Sequence, residues 1–478
     1  MIIYACKEDR IMASRIVRIE SITIDNFKNV THGTLDFENK RKDYKASVLG
    51  LYGQNGSGKT ALIDAIHLLK LALCGKAVPK KYADYINVDT EYATLEYKFV
   101  VRYPEIVYNV WYQFSIRKVI DESAAGNAET TNEIATKVEI FDEVLAFSYK
   151  SKNDKMRKAP LIDTRTDELF TPKAKMQELV GNDKEKYMDL LVTKRLTKAT
   201  SRSFIFSREL INQYRRNCRN ELYMKLIESL YIFGHRELFV IDTESIGLIS
   251  LNTLPLVFKY RNETSEAVGG VLLSLNGPAL IPEDTYGIVE NVIKNMNIVL
   301  EQLVPGLRIG VVDLGSTMTK DGKIAKQTQL ISLKNNKQIP FCYESEGIKK
   351  IVSILQLLIV VYNNPSVTVA IDELDSGVFE YLLGEMLNII SEKGKGQLIF
   401  TSHNLRPLET IDKGFIAFTT TNQKNRYIRL TNVKGTNNLR DFYYRDIVLG
   451  EQSEQVYNPT NNFEIALAFR EAGEAFGS

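Results

Sequence analysis

"LYGQNGSGKTALIDAIHLL", residues 51–69, decides the fold. Gly53, Gln54, Asn55, Gly56, Ser57, Gly58, Lys59 and Thr60 fit the spacing G-x-x-x-x-G-K-[ST]. Glycines at those places let successive backbone N–H groups turn inward on a β-phosphate, and the following helix adds the positive end of its dipole. Lys59 would reach the β- and γ-phosphates, the Thr60 hydroxyl would hold Mg²⁺, and the nucleotide-contacting run would extend to Ala61. A plain flexible turn is the competing reading, and the context speaks against it. The strand-like "KASVLGLYG" runs straight into the loop, and residues 60–73 then carry apolar residues on nearly every face, the pattern of a buried helix.

The rest of the chain has to supply the other parts of such a site. At 478 residues it exceeds what one core usually serves, so several domains, or one with a large insertion, are expected. Apolar residues make up 44% and charged residues 25%, an ordinary soluble balance, and a net charge of +2 gives no bulk attraction to nucleic acid. Cys6, Cys74, Cys218 and Cys342 show no CxxC spacing, which fits reduced thiols rather than zinc or a disulfide framework. Charges at Lys7, Glu8, Asp9 and Arg10 interrupt any signal peptide, and no apolar run reaches the roughly 18 residues of a membrane span. These features predict a cytoplasmic protein with no membrane partner. Met12 is an alternative start, which would make residues 1–11 a leader.

"RIVRIESITIDNF" alternates as a strand and "GTLDFEN" as its hairpin partner. "TLEYKFVVRY", "VYNVWYQFSIRK" and "TKVEIFDEVLAFSYK" predict an antiparallel subsheet beside the phosphate loop. From residue 149 the texture turns lysine-rich and helical without heptads, so 149–304 is expected to be a mainly helical insertion. The two flanking stretches, 13–148 and 305–430, would form a split α/β head, with 431–478 as a C-terminal segment. Strand alternating with helix after 305 indicates parallel architecture. His67, inside the apolar helix, reads as a satisfied core residue.

Three further pieces can carry chemistry. In "PSVTVAIDELDSGVFEYLL", Asp372 and Glu373 end a buried strand, the edge where doubly wound sheets bind ligands. Asp372 would hold Mg²⁺ through water, and Glu373 would orient or deprotonate the attacking water. In "FCYESEGIKKIVSILQLL", Ser345, Glu346 and Gly347 open a helix with free N–H groups; S-x-G alone is equally a good helix cap. In "GQLIFTSHNLRPLE", Ser402, His403 and Asn404 end the next strand, where a histidine can reach a γ-phosphate.

The order of phosphate loop, insertion, S-x-G helix, strand-DE, L-D-S-G and strand-TSHN resembles the ABC-type ATPase heads of the SMC, RecF and OLD families. The resemblance covers residues 14–75 and 340–405 well and the remainder by architecture only. It implies a P-loop ABC-type α/β head binding ATP and Mg²⁺. Lys28, after "NF", would lie near the nucleotide, Asp375 would be the D-loop residue, and His403 the switch histidine. Ser345 and Gly347 would touch the γ-phosphate of ATP held by a second copy, which makes the chain its own partner in a dimer or ring. Two features depart from the pattern. Glu344 stands where L-S-x-G has leucine, and no glutamine lies between Gln54 and Gln113 to serve as a Q-loop.

With only four histidines, no HNH spacing and no R-x₄₋₆-H, the chain is not expected to cut nucleic acid itself. The resemblance to stand-alone ATPases of PARIS-type systems implies a sensor subunit of bacterial anti-phage defence, holding a separate nuclease effector until DNA or a phage protein triggers it. The alternatives are a RecF-like repair ATPase that binds DNA directly and a nucleotide-gated scaffold. Lysine-rich "KSKNDKMRK" and "TKRLTK" could meet DNA or simply be solvated.

Overall fold

The structure is a computed structural model that describes residues 15–39, 45–121, 135–261, 266–319, 321–335, 337–431, 438–450 and 452–474. Met12 and Cys6 lie outside the described residues. The chain opens with β1 (Ile16–Phe27) and β2 (Val30–Asp36), an antiparallel pair joined at Lys28 and Asn29, Lys28 having a left-handed φ of 53°. β3 (Ser47–Tyr52) has every residue from Val48 onward buried, as expected of a strand covered on both faces. It leads through the phosphate loop into α1 (Lys59–Leu73).

Four antiparallel strands follow: β4 (Tyr92–Arg102), β5 (Ile106–Ile120), β6 (Thr136–Ser151) and β7 (Lys155–Asp163). They extend the first hairpin into a six-stranded sheet ordered β2-β1-β4-β5-β6-β7. Helices α2 (Lys173–Val180), α3 (Lys184–Ala199), α4 (Arg208–Asn217) and α5 (Glu221–Ile232) come next. Then β8 (Leu238–Ile241), α6 (Thr243–Ser250), the hairpin β9 (Thr253–Arg261) and β10 (Glu266–Ser274), β11 (Ala279–Pro282) and α7 (Glu283–Leu303) complete the stretch expected to be a helical insertion. That stretch is richer in strand than expected. β8 belongs to the core sheet, because "LFVI" is a short apolar run that pairs parallel with a strand more than a hundred residues away.

β12 (Leu307–Met318), β13 (Ile324–Lys334) and β14 (Lys337–Pro340) form a meander that β11 joins through β13. The chain ends with α8 (Glu346–Asn363), β15 (Thr368–Ile371), α9 (Glu380–Lys393), β16 (Gln397–Thr401), α10 (Pro407–Thr410), β17 (Ile416–Thr419), β18 (Tyr427–Ile428), α11 (Leu439–Leu449) and α12 (Asn462–Glu474). The core sheet runs β18-β17-β3-β16-β15-β8, parallel from β17 to β8.

α1 is buried on both sides because it lies between this sheet and the antiparallel one. Leu62, Ile63, Ala65, Ile66, Leu68 and Leu69 join one core with Ile24, Leu95 and Phe99. Tyr97 on β4 donates its hydroxyl to the Ala65 carbonyl at 2.6 Å. Alternation along the core strands sends Ala370 and Ile399 to that core and Val369, Ile371, Leu398 and Phe400 to the opposite one, under α8 and α9. Each such large aliphatic side chain contributes about 1.5–3 kcal/mol by leaving water. No described helix is long and apolar enough to cross a membrane.

Candidate functional site

The sheet order places the functional loops side by side. β3, β16 and β15 are adjacent parallel strands. Their C-terminal ends release the phosphate loop, Ser402–His403 and Asp372–Glu373 respectively, along one sheet edge.

Gly58 precedes α1 with a left-handed φ of 96° and no side-chain cap, so the first N–H groups of the helix remain available to an anion. Lys59 is buried, and its ammonium donates to the carbonyls of Gly53 (2.8 Å) and Gln54 (3.0 Å), closing the loop on itself. Burial lowers its pKa, while Asp372, Glu373 and Asp375 pull it back up. Asn55 and Gly56 are exposed at the loop tip, and Ser57 and Ala61 are buried. Thr60 is the second residue of α1 and is part-exposed.

Side chains invisible to local motif reading hold this loop. The Ser57 and Thr419 hydroxyls lie 2.5 Å apart, and a Cβ at Gly53 would stand 1.8 Å from the Thr419 hydroxyl oxygen. Tyr427 donates to the Gly58 carbonyl at 3.0 Å, and the Asn29 amide donates to the Gly56 carbonyl. Arg426 donates to the carbonyls of Thr420 and Asn29, tying the hairpin tip to the end of β17. The backbone N–H of Asn458 donates to the Gln54 side chain at 2.9 Å.

Asp372 is 1% exposed. One carboxylate oxygen accepts from the Thr401 hydroxyl at 2.5 Å and the other from Thr243 at 2.7 Å. Each oxygen keeps a second lone pair, and this carboxylate together with the Thr60 hydroxyl on α1 would offer oxygen donors of the kind that suits Mg²⁺, which keeps several of its waters. Thr60 and Asp372 would hold the ion, which would supply positive charge to offset the negative charge of the phosphates. Glu373 has a left-handed φ of 45°, and its N–H donates to Thr401 at 2.8 Å, a bond that fixes the turn out of β15. Asp375 accepts from the N–H groups of His403 (3.1 Å) and Asn404 (2.9 Å), so the loop after the acid pair fastens the loop after β16.

Ser345 caps α8, accepting from the N–H of Ile348 at 3.3 Å. Ser345, Glu346, Gly377 and His403 are all exposed. Lys28 stands next to the site but is anchored there. Its ammonium pairs with Asp64, one turn after Thr60 on α1, and lies 3.9 Å from the centre of the Tyr85 ring. Burial raises the Asp64 pKa and Lys28 opposes the rise. His67 is not a closed core residue. It is part-exposed, hydrogen-bonded to Tyr82 at 2.9 Å and 3.9 Å from Asp242.

Asp242 and Thr243 follow β8, as the cap and first residue of α6, next to the end of β15, and sequence reading passed over them. The signal was available, since "LFVID" repeats the form of "VAID": an apolar run closed by aspartate. Thr419, Arg426 and Tyr427 had no such signal.

A family described as AAA ATPase domain matches residues 18–406. The chain belongs to the AAA ATPase domain family. As a member it has the P-loop ATPase head fold, and it binds and hydrolyses ATP. Two curated proteins, both named DNA replication and repair protein RecF, match this AAA ATPase domain protein over 55 residues. They come from Chlorobaculum parvum (46% identical) and Chlorobaculum tepidum (44%). The match covers 12% of this chain and 13% of each relative, so the chain spans a small part of the curated relatives it matches. Among solved structures, an SMC head bound to the C-winged helix domain of ScpA covers 87% of this chain and 98% of its own at 13% identity, with a TM-score of 0.37. The recombination mediator RecF with ATP covers 87% and 100% at 13% identity, with a TM-score of 0.35. The SMC head domain from Thermotoga maritima covers 86% and 99% at 12% identity, with a TM-score of 0.34.

Proposed function

We propose that this ATPase is a DNA-engaging switch in which two copies enclose ATP, with hydrolysis timing their release. Lys59 binds the phosphates, Thr60 and Asp372 serve Mg²⁺, Glu373 orients water and His403 meets the γ-phosphate. Ser345 and Gly347 complete the site of the other copy. The exposure of Ser345, Glu346, Gly377 and His403 near the buried Lys59 and Asp372 supports this reading, because a second copy would cover them.

What supports DNA as the ligand is the local match to RecF together with one observation. Lys150, Lys152, Lys155, Arg157 and Lys158 are all exposed around the β6–β7 hairpin, and Lys158 stacks 4.3 Å from the Trp111 ring. Cations beside an aromatic ring suit a phosphate backbone. A lysine-rich edge strand also blocks sheet-to-sheet aggregation, which is the competing explanation. The narrower expectation, a phage-defence sensor holding a separate nuclease, gains nothing from the matched relatives, and the DNA reading takes precedence over it.

The test is ATP turnover with and without duplex DNA across a salt series. Stimulation that falls steeply with salt, and is lost when Lys155, Arg157 and Lys158 are changed to Gln, is expected. Turnover indifferent to DNA at every salt concentration would refute DNA engagement.

A further inference from the structure

Lys350 is 2% exposed, and its ammonium has no hydrogen-bond partner among the described residues. An ammonium so placed is costly unless charges around it compensate. It lies on α8 three residues after Gly347, hence on the same helix face. That face rests on the loop that leaves β15. A Cβ at Gly347 would stand 2.2 Å from the Gly377 carbonyl oxygen. The carboxylates of that loop act on the ammonium through their charge, Glu373 most strongly, then Asp375 and Asp372. Burial pushes the Lys350 pKa down to about 8 against their pull. One oxygen of Asp375 is likewise buried without a partner.

The same three carboxylates act on Lys59. Two buried lysines, one at the phosphate loop and one on the helix that Ser345 opens, thus share the electrostatic pull of the same carboxylates. Lys59 is tied to loop carbonyls, whereas the Lys350 ammonium has no hydrogen-bond partner among the described residues.

We propose that Lys350 is a positioning residue for ATP hydrolysis. Its ammonium fixes the Glu373 carboxylate for the attacking water and makes that placement depend on α8, the helix whose start meets the other copy. This rests on Glu373 being the water-orienting group. Lys350 touches no substrate atom itself.

Single-turnover hydrolysis and ATP binding would be measured for K350M, E373Q and the double variant, with thermal unfolding as the fold control. K350M is expected to slow hydrolysis about 10-fold or more while ATP affinity stays within about 2-fold. Added to E373Q, it should cause no further loss, because both act through one group. Multiplying losses in the double variant, or weakened ATP binding with an unchanged rate, would overturn the proposal. If E373Q alone leaves hydrolysis intact, the Glu373 reading fails first; if only K350M is silent, that reading stands and the Lys350 proposal falls. Should K350M not fold, K350Q is judged by the same criteria.

Discussion

Gly347, at the start of α8, lies directly against the backbone of Gly377 in the same chain, leaving 2.2 Å between an added Cβ and the Gly377 carbonyl oxygen. The S-x-G glycine is thus required within the chain, whatever it meets outside. The contact joins α8 to the 372–377 loop, whose Asp375 holds the N–H groups of His403 and Asn404. The start of α8, the loop after β15 and the loop after β16 are one packed unit.

Gly347→Ala should therefore damage hydrolysis by displacing that unit. Overpacking of this kind costs about 1–3 kcal/mol. The expected outcome is a fold retained with a melting point a few degrees lower, together with turnover reduced about 10-fold or more. Calorimetry and phosphate release check it; a variant with unchanged turnover would contradict the coupling.

Lys59→Ala removes the ammonium that bridges the Gly53 and Gln54 carbonyls. Hydrogen bonds to a charged group are worth about 1.5–3 kcal/mol, so ATP binding should weaken roughly 10- to 100-fold. Titration calorimetry reads this directly.

Thr419→Val deletes the hydroxyl that meets Ser57 and leaves the Gly53 cradle without its lateral support. Loss of a bond worth about 1 kcal/mol predicts ATP binding about 5-fold weaker. A fluorescent nucleotide titration should detect it, while β3 and β17 stay paired.

Glu373→Gln should reduce turnover about 10²- to 10⁴-fold and leave ATP binding intact, since it removes a proton acceptor and little bulk. ATP-bound dimers should then accumulate in light scattering after size exclusion. Full turnover in this variant would favour a group other than Glu373 as the base.

Glu143 supplies a pH signature away from the site. It is buried, accepts from Tyr112 (2.8 Å), Ser203 (2.5 Å) and the Phe204 N–H (2.6 Å), and burial raises its pKa above the ordinary 4.5. The native state therefore takes up this proton at a higher pH than the unfolded chain does. Its contribution to stability is fully present below 4.5 and is lost as pH rises through the folded value. Comparing wild type with Glu143→Gln by denaturant unfolding from pH 7 toward pH 4.5 should show wild type gaining relative to the variant.

Much of the candidate site was legible because its pieces are local. Gly53 to Ala61, Asp372–Glu373, Ser345–Gly347 and His403 each occupy a few consecutive residues, and the strands and helices around them are strongly patterned. β8 was not legible, because four apolar residues amid helices gain meaning only by pairing with β15. Nothing local in the sequence marks Lys350, because its burial comes from the packing of α8.

The sequence by itself determined that a phosphate loop, an acid-tipped strand and an S-x-G helix exist, because glycine freedom, strand alternation and helix periodicity act over a few residues. Only the tertiary structure decided how they work together. It packed Thr419 and Tyr427 against the phosphate loop, gave the oxygens of Asp372 to Thr401 on β16 and Thr243 on α6, set Gly347 on the loop of Asp375 and buried Lys350. Those contacts join segments tens to hundreds of residues apart, and burial, which sets the strength of charges and hydrogen bonds there, is a property of the packed chain and not of any stretch within it.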